Sequence, residues 1–139
     1  MKVENAVDPG SEQIQPFLAV SGPVFMVNLL KFHDRAQYPD GRDPDLSGAA
    51  AYARYGETMR KLLEAHGGGI VFTAKVEGLL LGEVDELWDA VAIAEYPSPS
   101  ALIKIASSQA FKEIEVHRRA GLAGQLNITT SNRPFADLE

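Results

Sequence analysis

A small set of side chains in this sequence is suited to proton transfer. His117 lies one helical turn after Glu113, and an imidazole titrates near neutral pH, which suits a general acid or base. Glu95 alternates with Ile93 along an apolar segment, and a carboxyl buried there would have a raised pKa. The residue types therefore predict His117 and Glu95 as candidate catalytic residues. The structural alternative for His117 is a bond to Glu113 or to a backbone carbonyl.

Three further side chains, Asn28, Tyr55 and Arg118, are candidates for binding a substrate or a developing oxyanion. Asn28 interrupts an apolar segment, and a buried amide needs a partner, so it bonds within the sheet or subunit contact, or lines a cavity. Tyr55 belongs to a packed helix face or touches a ligand. Glu95, if buried, needs a cation, and Lys31 or Arg118 would serve. Together these groups suit proton transfer on a small organic molecule.

Other chemistries find little support in the sequence. There are no cysteines, which removes disulfides, zinc–thiolate sites and thiol catalysis. The three histidines form no His-x-x-x-His or Glu-x-x-His pair, so neither a metal nor a cofactor is predicted. The run from His66 to Gly69 resembles an esterase oxyanion-hole motif, but no Gly-x-Ser-x-Gly elbow follows it. A glycine helix stop explains this run better.

The net charge of the chain limits the classes of partner that it is expected to bind. The net charge is −6, and the densest basic run, Arg118-Arg119, is too short to bind a phosphate backbone. Neither nucleic acid nor a membrane is therefore predicted as a partner, because an acidic chain is also repelled by anionic lipid. The first residues lack the apolar core of a signal peptide, and the cysteine-free composition fits a reducing compartment. We therefore expect a cytoplasmic protein.

The helices and strands that position these side chains are predicted from the spacing of apolar residues and from the residues that typically begin or end a helix. Residues 1–22 are predicted as an N-terminal arm, residues 23–130 as the folded domain, and residues 131–139 as a tail. Within the domain we predict six elements in order: the strand Val24–Phe32, the helix Ala49–His66, the strands Ile70–Leu81 and Leu87–Tyr96, the helical region Ser98–Gly121 with a break at Ser107-Ser108, and the strand Leu122–Thr130. The segment Ile70–Leu81 is the strand that follows the first helix, and it pairs with Leu87–Tyr96 as a hairpin.

This order, strand-helix-strand-strand-helix-strand, predicts an α+β protein with the ferredoxin-like βαββαβ fold. Right-handed crossovers place both helices on one face of the sheet. The first strand is nevertheless apolar on both sides, and leaving such side chains in water forfeits roughly 1.5–3 kcal/mol each. A second copy related by a twofold axis is the simplest cover, so we predict a homodimer that encloses a cavity.

Several short motifs occur in the same order as in a known family. They are Val27–Phe32 before Tyr38, Asp40 and Gly41; Tyr52–Tyr55 before Gly67-Gly68; Trp88-Asp89 before Tyr96–Ser98; and His117–Ala123. Across residues 23–130 the chain resembles the domain-of-unknown-function family 1330. The resemblance implies the dimeric α/β-barrel fold and no established activity. One departure is Gly124, where the family motif often continues with aspartate. Cofactor-free monooxygenases, haem-degrading enzymes and lactone isomerases share this barrel, which is a fold-level analogy.

The sequence thus predicts a cytoplasmic homodimer with a cavity for a small organic ligand. Acid–base chemistry, or cofactor-free oxygenation or isomerisation, is the enzymatic interpretation. The alternative is a non-catalytic binding or interaction module, in which the polar groups only complete the dimer contact. An enclosed polar pocket or an unusual imidazole or carboxyl pKa favours the first, and a filled, dry interface favours the second.

Overall fold

Four antiparallel strands form the framework of residues 1–138, the part of the chain that the computed structural model describes. They are β1 (Val24–Phe32), β2 (Gly69–Lys75), β3 (Ala90–Tyr96) and β4 (Leu122–Thr130), in the spatial order β2-β3-β1-β4. The central strand β1 pairs with both β3 and β4, so that Asn28 lies opposite Ala92 on one side and Asn127 on the other. This is the predicted α+β, ferredoxin-like βαββαβ fold.

Serine caps set the starts of the three main helices. Helix α2 (Gly48–Ala65) begins where the Ser47 hydroxyl accepts from the Ala50 amide at 3.1 Å. Ser98 and Ser108 cap α3 (Pro99–Ala106) and α4 (Gln109–Gly121) in the same way. Each hydroxyl satisfies one of the amides that a helix start leaves unpaired. A further helix, α1 (Ser11–Leu18), lies in the N-terminal segment, and a single 3₁₀ turn (Phe135–Asp137) follows β4.

The core lies between one face of the sheet and the helices. Alternate residues of β1 point to this side, and Val24, Met26 and Leu30 are at most 4% exposed. They pack against the buried face of α2 and against α3, through Tyr55, Met59, Leu63 and Ile105. Asn28 has the same direction as these core residues, because side chains two apart on a strand share a face.

The opposite face of the sheet is apolar, and nothing within residues 1–138 packs over it as a second layer. Val27 lies at its centre, with Ile93 of β3 and Ile128 of β4 as cross-strand neighbours. Phe72 on β2 is 51% exposed and Ile128 is 46% exposed. An exposed apolar surface of this kind is typical of an interaction site.

Helices α2 and α4 approach each other closely at one point. A side chain at Gly121 would collide with the carbonyl oxygen of Gly48. A side chain at Gly48 would collide with the carbonyl oxygen of His33. The backbone is joined here, since the His33 amide donates to Gly121 O at 2.8 Å and the Gly48 amide to His33 O at 3.1 Å. Glycine at both positions therefore permits the contact between the helices.

The hairpin is shorter than the sequence pattern predicted. The expected strands Ile70–Leu81 and Leu87–Tyr96 shrink to β2 and β3, and residues 76–89 form a loop in which Leu80 and Leu81 are exposed. The cause is Asp89, whose amide donates to Leu30 O and whose carboxylate accepts from the Phe32 amide, both at 2.8 Å. These bonds tie residue 89 to the end of β1 and direct the preceding residues away from the sheet.

The N-terminal segment docks along the edge of β4. Ala6 forms a β-bridge with Gln125, Asp8 accepts from Arg119 at 2.7 Å, and the Trp88 indole donates to the Asn5 side chain at 2.8 Å. In the described part of the chain, no helix is both long and apolar enough to cross a lipid bilayer.

Candidate functional site

A cleft runs between the sheet and the helices, under the N-terminal segment. Its volume is about 1810 Å³, larger than the roughly 300–1,000 Å³ of most ligand pockets, because it continues outward along residues 4–20 of the N-terminal segment. Its inner wall carries polar and aromatic groups from β1, α2, α4 and β4, namely Asn28, Tyr52, Tyr55, Phe111, Arg118 and Gln125. Three predicted binding residues, Asn28, Tyr55 and Arg118, thus line one cleft.

A chain of hydrogen bonds connects Arg118 with Asn28. Arg118 Nη2 donates to Gln125 Oε1 at 2.9 Å, and Gln125 Nε2 donates to Asn28 Oδ1 at 2.5 Å. Asn28 Nδ2 donates in turn to two strand carbonyl oxygens, each at 3.1 Å. Asn28 therefore does both things that the sequence left as alternatives: it bonds within the sheet and it lines the cleft. The network fixes the orientation of both amides.

Aromatic rings from β1, α2 and α4 lie in a row along the cleft. The ring centroids of Phe32 and Tyr52 are 5.2 Å apart, those of Tyr52 and Tyr55 5.2 Å, and those of Tyr55 and Phe111 6.0 Å. Burial raises the pKa of Tyr52 to about 12 and also raises the pKa of Tyr55, while the charge of Arg118 opposes both shifts. Both phenols are therefore protonated at neutral pH and able to donate a hydrogen bond.

His117 lies outside this cleft, between α4 and the loop that follows β1. Its Nδ1 lies 2.7 Å from the hydroxyl of Tyr38, whose oxygen also accepts from Arg54 at 3.1 Å. Because Arg54 donates to that oxygen, the phenol proton is free to point at Nδ1, which favours a neutral imidazole. Burial, and then the charges of Arg54 and Arg42, lower the pKa of His117.

This arrangement makes the folding stability depend on pH. The folded-state pKa of His117 lies below the ordinary value of 6.5, so the unfolded chain binds more protons below that pH. We expect the free energy of unfolding to decrease as pH falls through 6.5, and a His117→Asn variant to lose that part of the dependence. Urea unfolding across this pH range measures it. Tyr38→Phe, which removes the donated proton, should weaken the dependence, and parallel curves for wild type and His117→Asn would contradict it.

Glu95 lies on the other side of the sheet from Asn28. It pairs with Phe25 of β1 and Gly69 of β2 and shares the uncovered apolar face with Val27 and Ile93. Neither predicted cation reaches it: Lys31 contacts Glu86 and Asp89 at 3.3 and 3.5 Å, and Arg118 is inside the cleft. The structure thus brings together the predicted binding residues and separates them from both predicted catalytic residues.

Gln125 and Tyr38 bond directly to predicted site residues but were not themselves predicted as site residues. Gln125 is a polar residue in the last strand, two positions before Asn127, and this pair of amides was the available signal. Tyr38 belongs to one of the family motifs, but its contact with His117 could not be predicted, because that contact depends on how a long loop folds back. Among residues 1–138, no three His, Asp or Glu side chains converge as metal ligands would.

Comparisons with known proteins identify the family and the fold of the chain. The family model described as Domain of unknown function (DUF1330) matches residues 43–131. The crystal structure of the methylated RPA0582 protein of Rhodopseudomonas palustris is 36% identical to this chain, with a TM-score of 0.84, covering 96% of this chain and 98% of that chain. No curated protein sequence matches the chain.

More distant structures share the fold alone. SnoaB, a cofactor-independent oxygenase from Streptomyces nogalater, has a TM-score of 0.51 at 17% identity, covering 84% of this chain and 99% of that chain. A dimeric protein of unknown function with a ferredoxin-like fold from Bacteroides fragilis has a TM-score of 0.51 at 10% identity, covering 79% and 96%.

Proposed function

We propose a function for this chain from its site, because the chain belongs to the DUF1330 family, as its motifs predicted, and that family has no known function. The proposed function is that of a homodimer that binds a small organic molecule between the sheet and the helices. The observation that carries this proposal is the cleft lined by Asn28, Tyr55 and Arg118. Ligand sites are typically apolar clefts with a few oriented polar groups, which describes this one.

The uncovered sheet face supports the homodimer. A flat apolar surface around Val27 is stabilised by a second copy of itself, because a twofold axis places equal apolar faces against each other. The Bacteroides fragilis structure, described as dimeric, has the same fold. In this proposal Glu95 lies at the subunit contact.

Binding is better supported than catalysis by His117 or Glu95, because neither lines the cleft. Cofactor-free chemistry of the kind named for SnoaB is a second candidate. The observation that favours it is the set of donors in the cleft, Tyr52, Tyr55 and Arg118, which would stabilise an oxyanion formed on a bound molecule. The cysteine-free sequence fits a protein of the cytoplasm.

Native mass spectrometry of gently purified protein tests the proposal. We expect a dimer that carries a small-molecule adduct, which denaturation releases. Ala92 faces the cleft from β3 opposite Asn28, so Ala92→Trp should obstruct the inner cleft beside Asn28 and give a bare dimer. Ala92→Ser, which leaves the space open, should keep the adduct. A monomer at micromolar concentration would contradict the homodimer, and a bare wild-type dimer would favour an interaction module without a ligand.

A further inference from the structure

Arg118 carries a positive charge in the cleft that its contacts with the protein do not compensate. The hydrogen-bond partners of its guanidinium are both neutral: the Val7 carbonyl oxygen at 2.7 Å and the Gln125 amide oxygen at 2.9 Å. No carboxylate of residues 1–138 lies within salt-bridge distance of it. Partly buried charges are normally paired with an opposite charge. Because the partners of this guanidinium are both neutral, it can still bind an anion.

The carboxylates at the rim of the cleft do not serve as that anion. Asp8 and Glu115 both line the cleft and both bind Arg119, at 2.7 and 3.0 Å, and the charge of Glu115 also acts on Tyr55. The remaining rim carboxylates bind other cations or are exposed: Glu57 binds Arg60, Asp89 binds Lys31, Glu4 binds Lys2, and Glu12 and Asp34 lie at the surface. Of the two arginines that line the cleft in residues 1–138, Arg60 binds Glu57 and Glu64, whereas Arg118 has no carboxylate partner.

Neutral donors surround this charge. The hydroxyls of Tyr52 and Tyr55 form no hydrogen bond with another described residue. Because no side-chain polar atom of the described residues is both fully buried and unpaired, both hydroxyls must be accessible, and they open into the cleft. Tyr52 and Tyr55 are neighbours, with ring centroids 5.2 Å apart, and they line the same cleft as Arg118. Two phenol donors and a guanidinium in one cleft match the lone pairs of a carboxylate or enolate.

Resting on the proposed binding function, we propose that the cleft selects organic acids. The oxyanion of the ligand, a carboxylate or an enolate, binds Arg118 and the hydroxyls of Tyr52 and Tyr55. Its apolar, planar body lies along the aromatic row from Phe32 to Phe111, since rings of this kind favour contact with other π-systems. To reach Arg118, the oxyanion takes the place of the Val7 carbonyl oxygen.

Calorimetric titration with two matched probes, naphthoate and its neutral analogue naphthamide, tests this at neutral pH. A hydrogen-bonded charge pair gives about tenfold or more in affinity, so we expect the wild type to bind naphthoate at least about tenfold tighter than naphthamide. In Arg118→Gln that preference should fall below about threefold, with naphthamide affinity kept, because only the charge is removed. Tyr55→Phe should lower naphthoate affinity several-fold.

Arg119→Gln is the matched control, because it removes the same charge from the next residue of α4, whose guanidinium binds Asp8 and Glu115 and does not itself line the cleft. It should keep the preference for naphthoate. Equal affinity of the wild type for both probes would overturn the selection of acids while leaving the cleft as a binding site. Loss of both probes from a folded Arg118→Gln variant would also overturn it. Failure of the wild type to bind either probe, together with a bare wild-type dimer in the native mass spectrum, would overturn the binding function itself.

Discussion

A Val27→Asp variant is expected to be a monomer under conditions where the wild type is a dimer. Val27 lies at the centre of the uncovered apolar face, between Ile93 and Ile128. A twofold axis would bury the new carboxylate twice, and an unpaired buried charge costs several kcal/mol. The dimer Kd should therefore rise about 100-fold or more. Sedimentation velocity over a concentration series measures it.

Val27→Thr is the control, because threonine has nearly the shape of valine and carries no charge. It should remain dimeric, with a modest loss of affinity from one buried hydroxyl. A dimeric Val27→Asp protein at micromolar concentration would show that this face is not the subunit contact. The cleft lies on the other side of the sheet, so the folded monomer should still bind naphthoate.

Gly121→Ala is expected to destabilise the fold by about 3 kcal/mol, the upper range for overpacking a rigid contact. The new methyl group would collide with the Gly48 carbonyl oxygen and come within 2.8 Å of the Tyr52 amide nitrogen. Both obstacles are backbone atoms of α2, which cannot rotate away as a side chain can. Urea unfolding followed by circular dichroism measures the change.

Gly56→Ala provides the comparison within α2. A methyl group at Gly56 meets no atom within 4 Å, and alanine in a helix interior is favoured over glycine by roughly 0.5–1 kcal/mol. This variant should be slightly more stable than the wild type. If both alanine variants change the stability equally, then the contact between α2 and α4 is not as close as described.

The helix ends could be predicted from the sequence because they depend on local chemistry. Ser47, Ser98 and Ser108 each precede a helix that they cap, and Gly67, with a φ of 82°, follows the end of α2. The ends of β2 and β3 could not be predicted, because Asp89 binds the end of β1, far away in sequence. A run of leucines that reads as a strand is instead an exposed loop.

The candidate site was predictable in part for a similar reason. An amide inside an apolar strand had to find partners, which identified Asn28. Neighbouring residues on a helix point about 100° apart, so His117 and Arg118 lie on different sides of α4. Which of them faces the cleft depends on packing against Tyr38 and Gln125, on segments far from α4 in sequence. Glu95 could be assigned to a face only after the strand register was known.

The position of β1 between β3 and β4 also determines when the molecule can fold. Gln125 and Asn28, which bond across the sheet, are 97 positions apart. As a nascent chain leaves the ribosome, one edge of β1 therefore has no partner until almost the whole sequence has emerged. Pairings over such distances form slowly, and an open strand edge invites aggregation. The apolar strand at the centre of the finished sheet is thus the segment for which a chaperone would matter most during synthesis.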